Sequence, residues 1–217
     1  MGRDLLSMII YGSRISLTVG LVAMSIAMTI GTVLGAISGY YGGIVDNIVM
    51  RFTDIALCFP QFFLILTIVA LFGNGIYKVI VILGLTSWMG VARLVRGQFL
   101  SLKEREFVEG ARALGANDAR IIFKHLLPNS MAPIIVAATL RVGTTILVEA
   151  VLSFLGLGVK QGTITWGGLL QQAQGLTTML ETPWVAIFPG LMIFITVLSF
   201  NLFGDGLRDA LDPKLKL

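Results

Sequence analysis

From residue 15 to residue 45 this chain carries no charged side chain, and from residue 55 to residue 77 it again carries none. Runs of that kind have few destinations. The hydrocarbon core of a bilayer is ~30 Å thick, so a helix rising ~1.5 Å per residue needs ~20 mostly apolar residues to cross it. Within the bilayer every backbone N–H and C=O must find its partner inside the segment, which leaves helices and closed barrels. Composition points the same way. Of 217 residues, 56% are hydrophobic and 13% charged, against ~25% charged in a soluble domain. So few charges cannot coat a water-soluble body of this size.

The expected fold is therefore all-α, a polytopic membrane protein with five transmembrane helices. The first span runs from Ile15 to about Ser38 and ends at Gly39-Tyr40-Tyr41-Gly42-Gly43. The second begins before Asp54 and runs to Leu71, with Pro60 expected to kink it. After the turn Gly73-Asn74-Gly75, a third runs from about Ile76 to Leu94, and Arg93 at its end can snorkel to the interface. A fourth runs from about Ala132 to Phe154, and a fifth from Pro183-Trp184 to about Phe203. Residues 159–182, with Trp166, are expected to form a loop, and a short charged tail begins at Asp205.

The stretch 96–124 is the only long polar segment. If it is cytoplasmic, that side also holds the 39–53 turn and the C-terminal tail. Arg51, Arg93, Arg96, Lys103, Arg105, Arg112, Arg120, Lys124, Arg208, Lys214 and Lys216 then lie inside, eleven basic residues. Arg3, Arg14, Lys78 and Lys160, four, lie outside. Cytoplasmic loops carry the excess of Lys and Arg, so the expected orientation is N-terminus out and C-terminus in. The start of the chain does not read as a signal peptide: Arg3 and Asp4 precede an apolar run far longer than a signal's ~7–15 residues. An external N-terminus with no span before it suggests that a preceding helix is missing.

The 96–130 segment reads as a helix pair. Lys103 to Leu114 is rich in helix formers. Gly115 interrupts it, as a residue able to take positive φ. Asn117 and Asp118 are placed to cap a second helix over about 118–127. Arg120 and Lys124 lie four apart on one face; Ile121 and His125 lie four apart on another, joined by Ile122 and Leu126. Pro128 is expected to end this helix. A short hinged pair with an apolar face, held outside the bilayer, is built to dock on a partner.

Here the chain resembles a known family. Glu109-Gly110-Ala111, three residues, Gly115, nine residues, then His125-Leu126-Leu127-Pro128 is similar to the EAA loop of bacterial ABC importer permeases, Glu-Ala-Ala-x3-Gly-x9-Ile-x-Leu-Pro. Gly110 stands for the first alanine and His125 for the isoleucine; neither departure touches the Gly115 hinge or Leu127-Pro128. Gly2-Arg3-Asp4-Leu5-Leu6-Ser7, Tyr11-Gly12-Ser13-Arg14, Leu152-Ser153-Phe154-Leu155-Gly156-Leu157-Gly158 and Gly204-Asp205-Gly206-Leu207-Arg208-Asp209 through Pro213 resemble the C-type subunit of the dipeptide/oligopeptide/nickel branch. The resemblance covers essentially all of the chain, read as one transmembrane domain over 1–217. It implies six family helices with the first absent here, in a bacterial or archaeal cell (inner) membrane. It also implies a heterodimer with a second permease, two cytoplasmic ATPases that use the ATP, and an external binding protein. The 116–127 helix would couple this chain to an ATPase. Peptides are the first expectation for substrate and nickel the second.

The remaining residues fit plainer roles. Cys58 is a lone cysteine in an apolar run, and His125 has no second histidine or nearby cysteine to share a metal with. The 103–112 charges alternate in sign without aromatic platforms, as on a solvated helix face rather than a nucleic-acid site. No Gly-x4-Gly-Lys-Ser/Thr occurs, so the chain has no phosphate loop of its own and no cofactor is expected on it. Glu149, inside the fourth span, is either a pathway group or a buried structural one. Arg141 lies eight residues away, ~80° around the helix and ~12 Å along it, too far for a direct pair. The alternatives to an importer are a secondary transporter or channel driven by an ion gradient, and a membrane scaffold. An importer permease should bring an ATPase with it on purification; a secondary transporter should not.

Overall fold

The computed structural model describes residues 4–159 and 162–211, and among them every regular element is helical. Arg3, Lys160, Lys214 and Lys216 of the orientation argument, and Gly2, Asp212 and Pro213 of the motif matches, lie outside the described residues. Helix α1 spans Leu5–Tyr41, α2 Gly43–Cys58, α3 Gln61–Phe72 and α4 Ile76–Leu102. Next come α5 (Glu106–Ala113), α6 (Asp118–Arg120), a π-helical turn (Ile121–Leu126) and α7 (Leu127–Phe154). The chain ends in α8 (Trp166–Gln172), α9 (Leu176–Glu181) and α10 (Trp184–Leu211).

Four rods are long and apolar enough to cross a bilayer: α1, α4, the continuous stretch Asp118–Phe154, and α10. Helices α2 and α3 together supply a further crossing by length and composition, broken by an 81° bend. The cause of the bend is local. Pro60 disfavours helical backbone in the residue before it, and Phe59 is extended (φ −83°, ψ 127°). The kink expected at Pro60 is thus a full break.

The core is built on α1 against α4. Ala23, Ala27, Gly31, Gly35 and Gly39 recur every four residues along one side of α1, and all are buried. A side chain at Gly35 would meet the Ala92 carbonyl oxygen at 2.5 Å, and one at Gly39 would meet Phe99 Cβ at 2.7 Å. Small residues at this spacing let two backbones approach closely, which is how helices associate where lipid is as apolar as leucine. Helix α7 completes the core with Val142, Ile146 and Ala150, and Trp166 at the start of α8 seals one end. The Trp166 indole N–H donates to the Ile9 carbonyl at 3.1 Å. Helix α10 keeps most of its apolar side chains exposed.

Several boundaries differ from the sequence expectation. The first span begins at Leu5 and runs ~55 Å, well beyond the bilayer core. The third continues past Arg93 to Leu102, and the Arg93 guanidinium meets Asp54 of α2 at 2.5 Å. The 159–182 stretch is not a plain loop but carries α8 and α9; the Thr165 hydroxyl caps α8 by accepting from the Gly168 N–H.

Candidate functional site

Two places carry the chemistry: the polar segment after α4, and a cavity midway along the spans.

Helix α5 ends in a paired closure. The Gly115 N–H donates to the Arg112 carbonyl at 2.9 Å and the Ala116 N–H to the Ala111 carbonyl at 3.0 Å. This Schellman arrangement needs a left-handed residue, and Gly115 has φ +80°. Asn117 then accepts from the Arg120 N–H at 2.9 Å, capping the next helix as its side chain suggested. The helix does not stop at Pro128. The Leu127 N–H donates to the Ile122 carbonyl in i→i−5 fashion, and α7 continues. Proline lacks an N–H and crowds the carbonyl four residues back; the wider π turn just before Pro128 absorbs that conflict and keeps the rod intact. The expectation that Pro128 ends the helix is corrected accordingly.

The face expected to dock is drawn differently. Ile121 (1% exposed) and Leu126 (0%) point into the chain's own core, beside Val108 and Phe99, and Ile122 packs against that cluster. Ala111, His125 and Leu127 are half-buried; Glu109, Gly110, Gly115 and Pro128 are exposed. The large apolar side chains left most exposed are Leu114 (90%) and Phe123 (69%), with Phe107 of α5 exposed to a lesser degree. Tyr40, near the end of α1, donates its phenol to Asp118 Oδ1 at 2.6 Å, and the Arg112 guanidinium lies 5.9 Å from the Tyr40 ring centre. Arg96 of α4 holds Asp46 of α2 through two contacts of 2.5 Å, and the Ser38 hydroxyl donates to the same carboxylate. The segment is thereby tied to α1, and α1 to α2 and α4.

Deeper in the spans, Glu149 and Arg141 part company. Glu149 is wholly buried. Its Oε1 accepts from Ser153 at 2.7 Å and its Oε2 has no hydrogen-bond partner. Arg141 is exposed and lines a cavity of about 90 Å³ together with Gln61, Ser87, Thr144, Thr145 and Met24. The sequence alone singles out Glu149 and offers Arg141 only as a partner for it. The two form no ion pair.

Four long apolar rods, a broken fifth crossing and an internally braced polar segment between α4 and α7 define a polytopic membrane protein. The comparisons identify the kind. The model of the family described as binding-protein-dependent transport system inner membrane component matches residues 31–217, and the chain belongs to that family. It is similar to the glutathione transport system permease protein GsiD of Pectobacterium atrosepticum, 48% identical over all of this chain and 71% of that one. The Shigella flexneri protein of the same name is 49% identical over the same shares. Among solved structures, a chain of the MetNI methionine ABC transporter in inward-facing conformations superposes with TM-score 0.78 at 20% identity, covering 98% of this chain and all of that one. An amino acid ABC transporter solved with histidines gives 0.70 at 17%, covering 97% of this chain and all of that one. The chain is a multi-pass inner-membrane permease subunit of an ABC importer, a transport component rather than an enzyme. That assignment replaces the gradient-driven transporter and the scaffold as readings.

Proposed function

We propose that this chain forms half of a translocation pathway, pairs with a second permease, and takes its power from two cytoplasmic ATPases through the segment between α4 and α7. The observation that carries this is the closure at Gly115, with φ +80° and open space around it. It turns the chain sharply and leaves Leu114 and Phe123 uncovered outside the spans. Exposed large apolar groups beside Arg120 and Lys124 fit a protein contact with an apolar centre and a charged rim. Glu109, Gly110, Ala111, Gly115, Ile121, Ile122, His125, Leu126, Leu127 and Pro128 make up the coupling element. The buried members hold its shape, and the exposed members meet the partner.

The orientation is N-terminus out and C-terminus cytoplasmic, which puts this segment on the ATPase side. An external binding protein delivers the substrate. Relatives named for glutathione transport, at 48–49% identity, favour short peptides over nickel as cargo. ATP is used by the partner subunits, and this chain needs no cofactor of its own.

The test is co-purification. The chain, expressed with its neighbouring genes, should bring down a second permease and an ATPase, and the complex should take up tripeptide in vesicles only with ATP. A chain that purifies without an ATPase, or drives uptake by a proton or sodium gradient alone, refutes the proposal.

A further inference from the structure

An arginine side chain halfway along a membrane rod is costly, and it persists where it meets a partner, water or a ligand. Arg141 has ~20 Å of α7 on either side of it, near the middle of that apolar helix. Among the described residues no carboxylate lies within ion-pair distance of it; the pairs present are Arg93–Asp54 and Arg96–Asp46. Its guanidinium is nevertheless accommodated. It lies across Gly90 of α4, where any side chain would collide with it. The cavity beside it reaches Gln61 of α3, at the broken crossing. Gln61, the first residue after Pro60, donates to Ser87 at 3.1 Å. Thr144 and Thr145 each spend their proton on the Arg141 carbonyl at 2.8 Å, which leaves their oxygens as acceptors. The lining thus offers one positive charge, amide and hydroxyl groups, and an apolar side formed by Met24, Leu83 and Val148. A cavity of about 90 Å³ takes several waters or one small polar group, not a whole peptide.

We infer that Arg141 is a binding residue of the pathway, receiving a carboxylate of the passing substrate in the Gln61–Ser87–Thr144 cavity. This rests on the reading of the chain as half of an importer pathway. A planar guanidinium matches a carboxylate with two parallel donors, a match that lysine keeps only as charge. Most of the substrate would lie in the space shared with the second permease, and the cavity would hold its charged end. A carboxylate of the second permease is the competing occupant.

The test uses the whole complex in proteoliposomes, with trialanine as probe. Uptake per ATP hydrolysed isolates the pathway from delivery and from ATPase docking. Arg141→Gln should lower that ratio about tenfold, Arg141→Lys about threefold and Gln61→Leu two- to threefold, with ATPase association and stimulation by loaded binding protein retained. An unchanged ratio in Arg141→Gln overturns the inference. So does loss of the permease pair in Arg141→Gln with a normal ratio in Gln61→Leu, which would assign the arginine to the second permease. Absence of ATP-dependent uptake in the unmodified complex would instead sink the importer reading itself.

Discussion

The Tyr40 phenol and the Asp118 carboxylate, 2.6 Å apart, join the end of α1 to the start of the helix that becomes α7. Asp118 opens a single rod that runs to Phe154. The segment is therefore joined to the rest of the chain at two places: along that rod towards Arg141, and through Tyr40 to α1.

Tyr40→Phe keeps the ring but removes its donor. A hydrogen bond to a charged group contributes ~1.5–3 kcal/mol when buried and less at this partly open site, so ~1 kcal/mol is expected here. Amide hydrogen exchange over 116–124 should quicken about five- to tenfold, with α4 unaffected. Unchanged exchange would mean that the segment is held by the Ile121 and Leu126 packing alone.

The glycine stripe makes a sharper stability claim. Gly35→Ala puts a methyl group against the Ala92 carbonyl oxygen and Val95, and α1 must move off α4. A cost of ~1–3 kcal/mol is expected, read as a lower Tm in detergent. Gly97, also helical, would meet nothing within 4 Å, so Gly97→Ala should be neutral or mildly stabilising. Equal effects from the two substitutions would dismiss close packing as the reason for the stripe.

How much of this was legible in the sequence follows from what each feature depends on. Charge-free runs mark spans because exclusion of charge from lipid needs no tertiary context, and Gly115 with Asn117 marks a turn and a cap for equally local reasons. Pro128 misled because whether a proline ends a helix depends on the preceding turn, and the π turn at 121–126 is not written in any one residue. Ile121 and Leu126 were readable as an apolar face, but not which body that face meets. Arg141 and Glu149 exchanged prominence for the same reason. Which side of α7 is buried is decided by the approach of α1 and α4, whose signal is the run of small residues every four positions from Ala23 to Gly39.

Glu149 and Arg141 should now separate experimentally. Glu149 is sealed among Ser16, Ser153 and Thr165, all buried, so Glu149→Ala removes packing and an accepted hydrogen bond together. Assembled complex should fall severalfold while uptake per ATP in the remainder stays near normal, opposite to the pattern expected of Arg141→Gln. A normal yield with failed transport would make Glu149 a pathway group.

Orientation can be read by labelling. Cys58 is free and exposed, so Cys58→Ser must come first. Single cysteines at Lys103 and Lys78 should then react with an impermeant maleimide from opposite sides, Lys103 from the cytoplasm. Labelling from the same side would overturn the assignment.

If the segment between α4 and α7 docks on an ATPase, its uncovered side chains should carry the contact. Ile121 is 1% exposed, so Ile121→Asp would bury a charge in this chain's own core and damage it whether or not anything docks. The discriminating positions are the uncovered ones. Phe123 is 69% exposed and Leu114 90%, so an aspartate at either remains in water and the spans should insert as before. Full burial of a large apolar side chain against a partner contributes roughly 1.5–3 kcal/mol. Phe123→Asp should therefore weaken ATPase association about ten- to a hundredfold, since each ~1.4 kcal/mol is a factor of ten. Gly115→Val acts on shape instead. No atom lies within 4 Å of the added Cβ, so there is no clash within the chain, but φ +80° costs a branched residue ~1–2 kcal/mol and the turn relaxes. Its expected result is a complex that still assembles in the membrane but whose ATP hydrolysis no longer responds to loaded binding protein. ATPase co-purification, stimulated hydrolysis and membrane insertion, measured on both variants, separate loss of contact from loss of shape. If both variants hydrolyse and transport normally, the segment between α4 and α7 is not where the ATPases act on this chain.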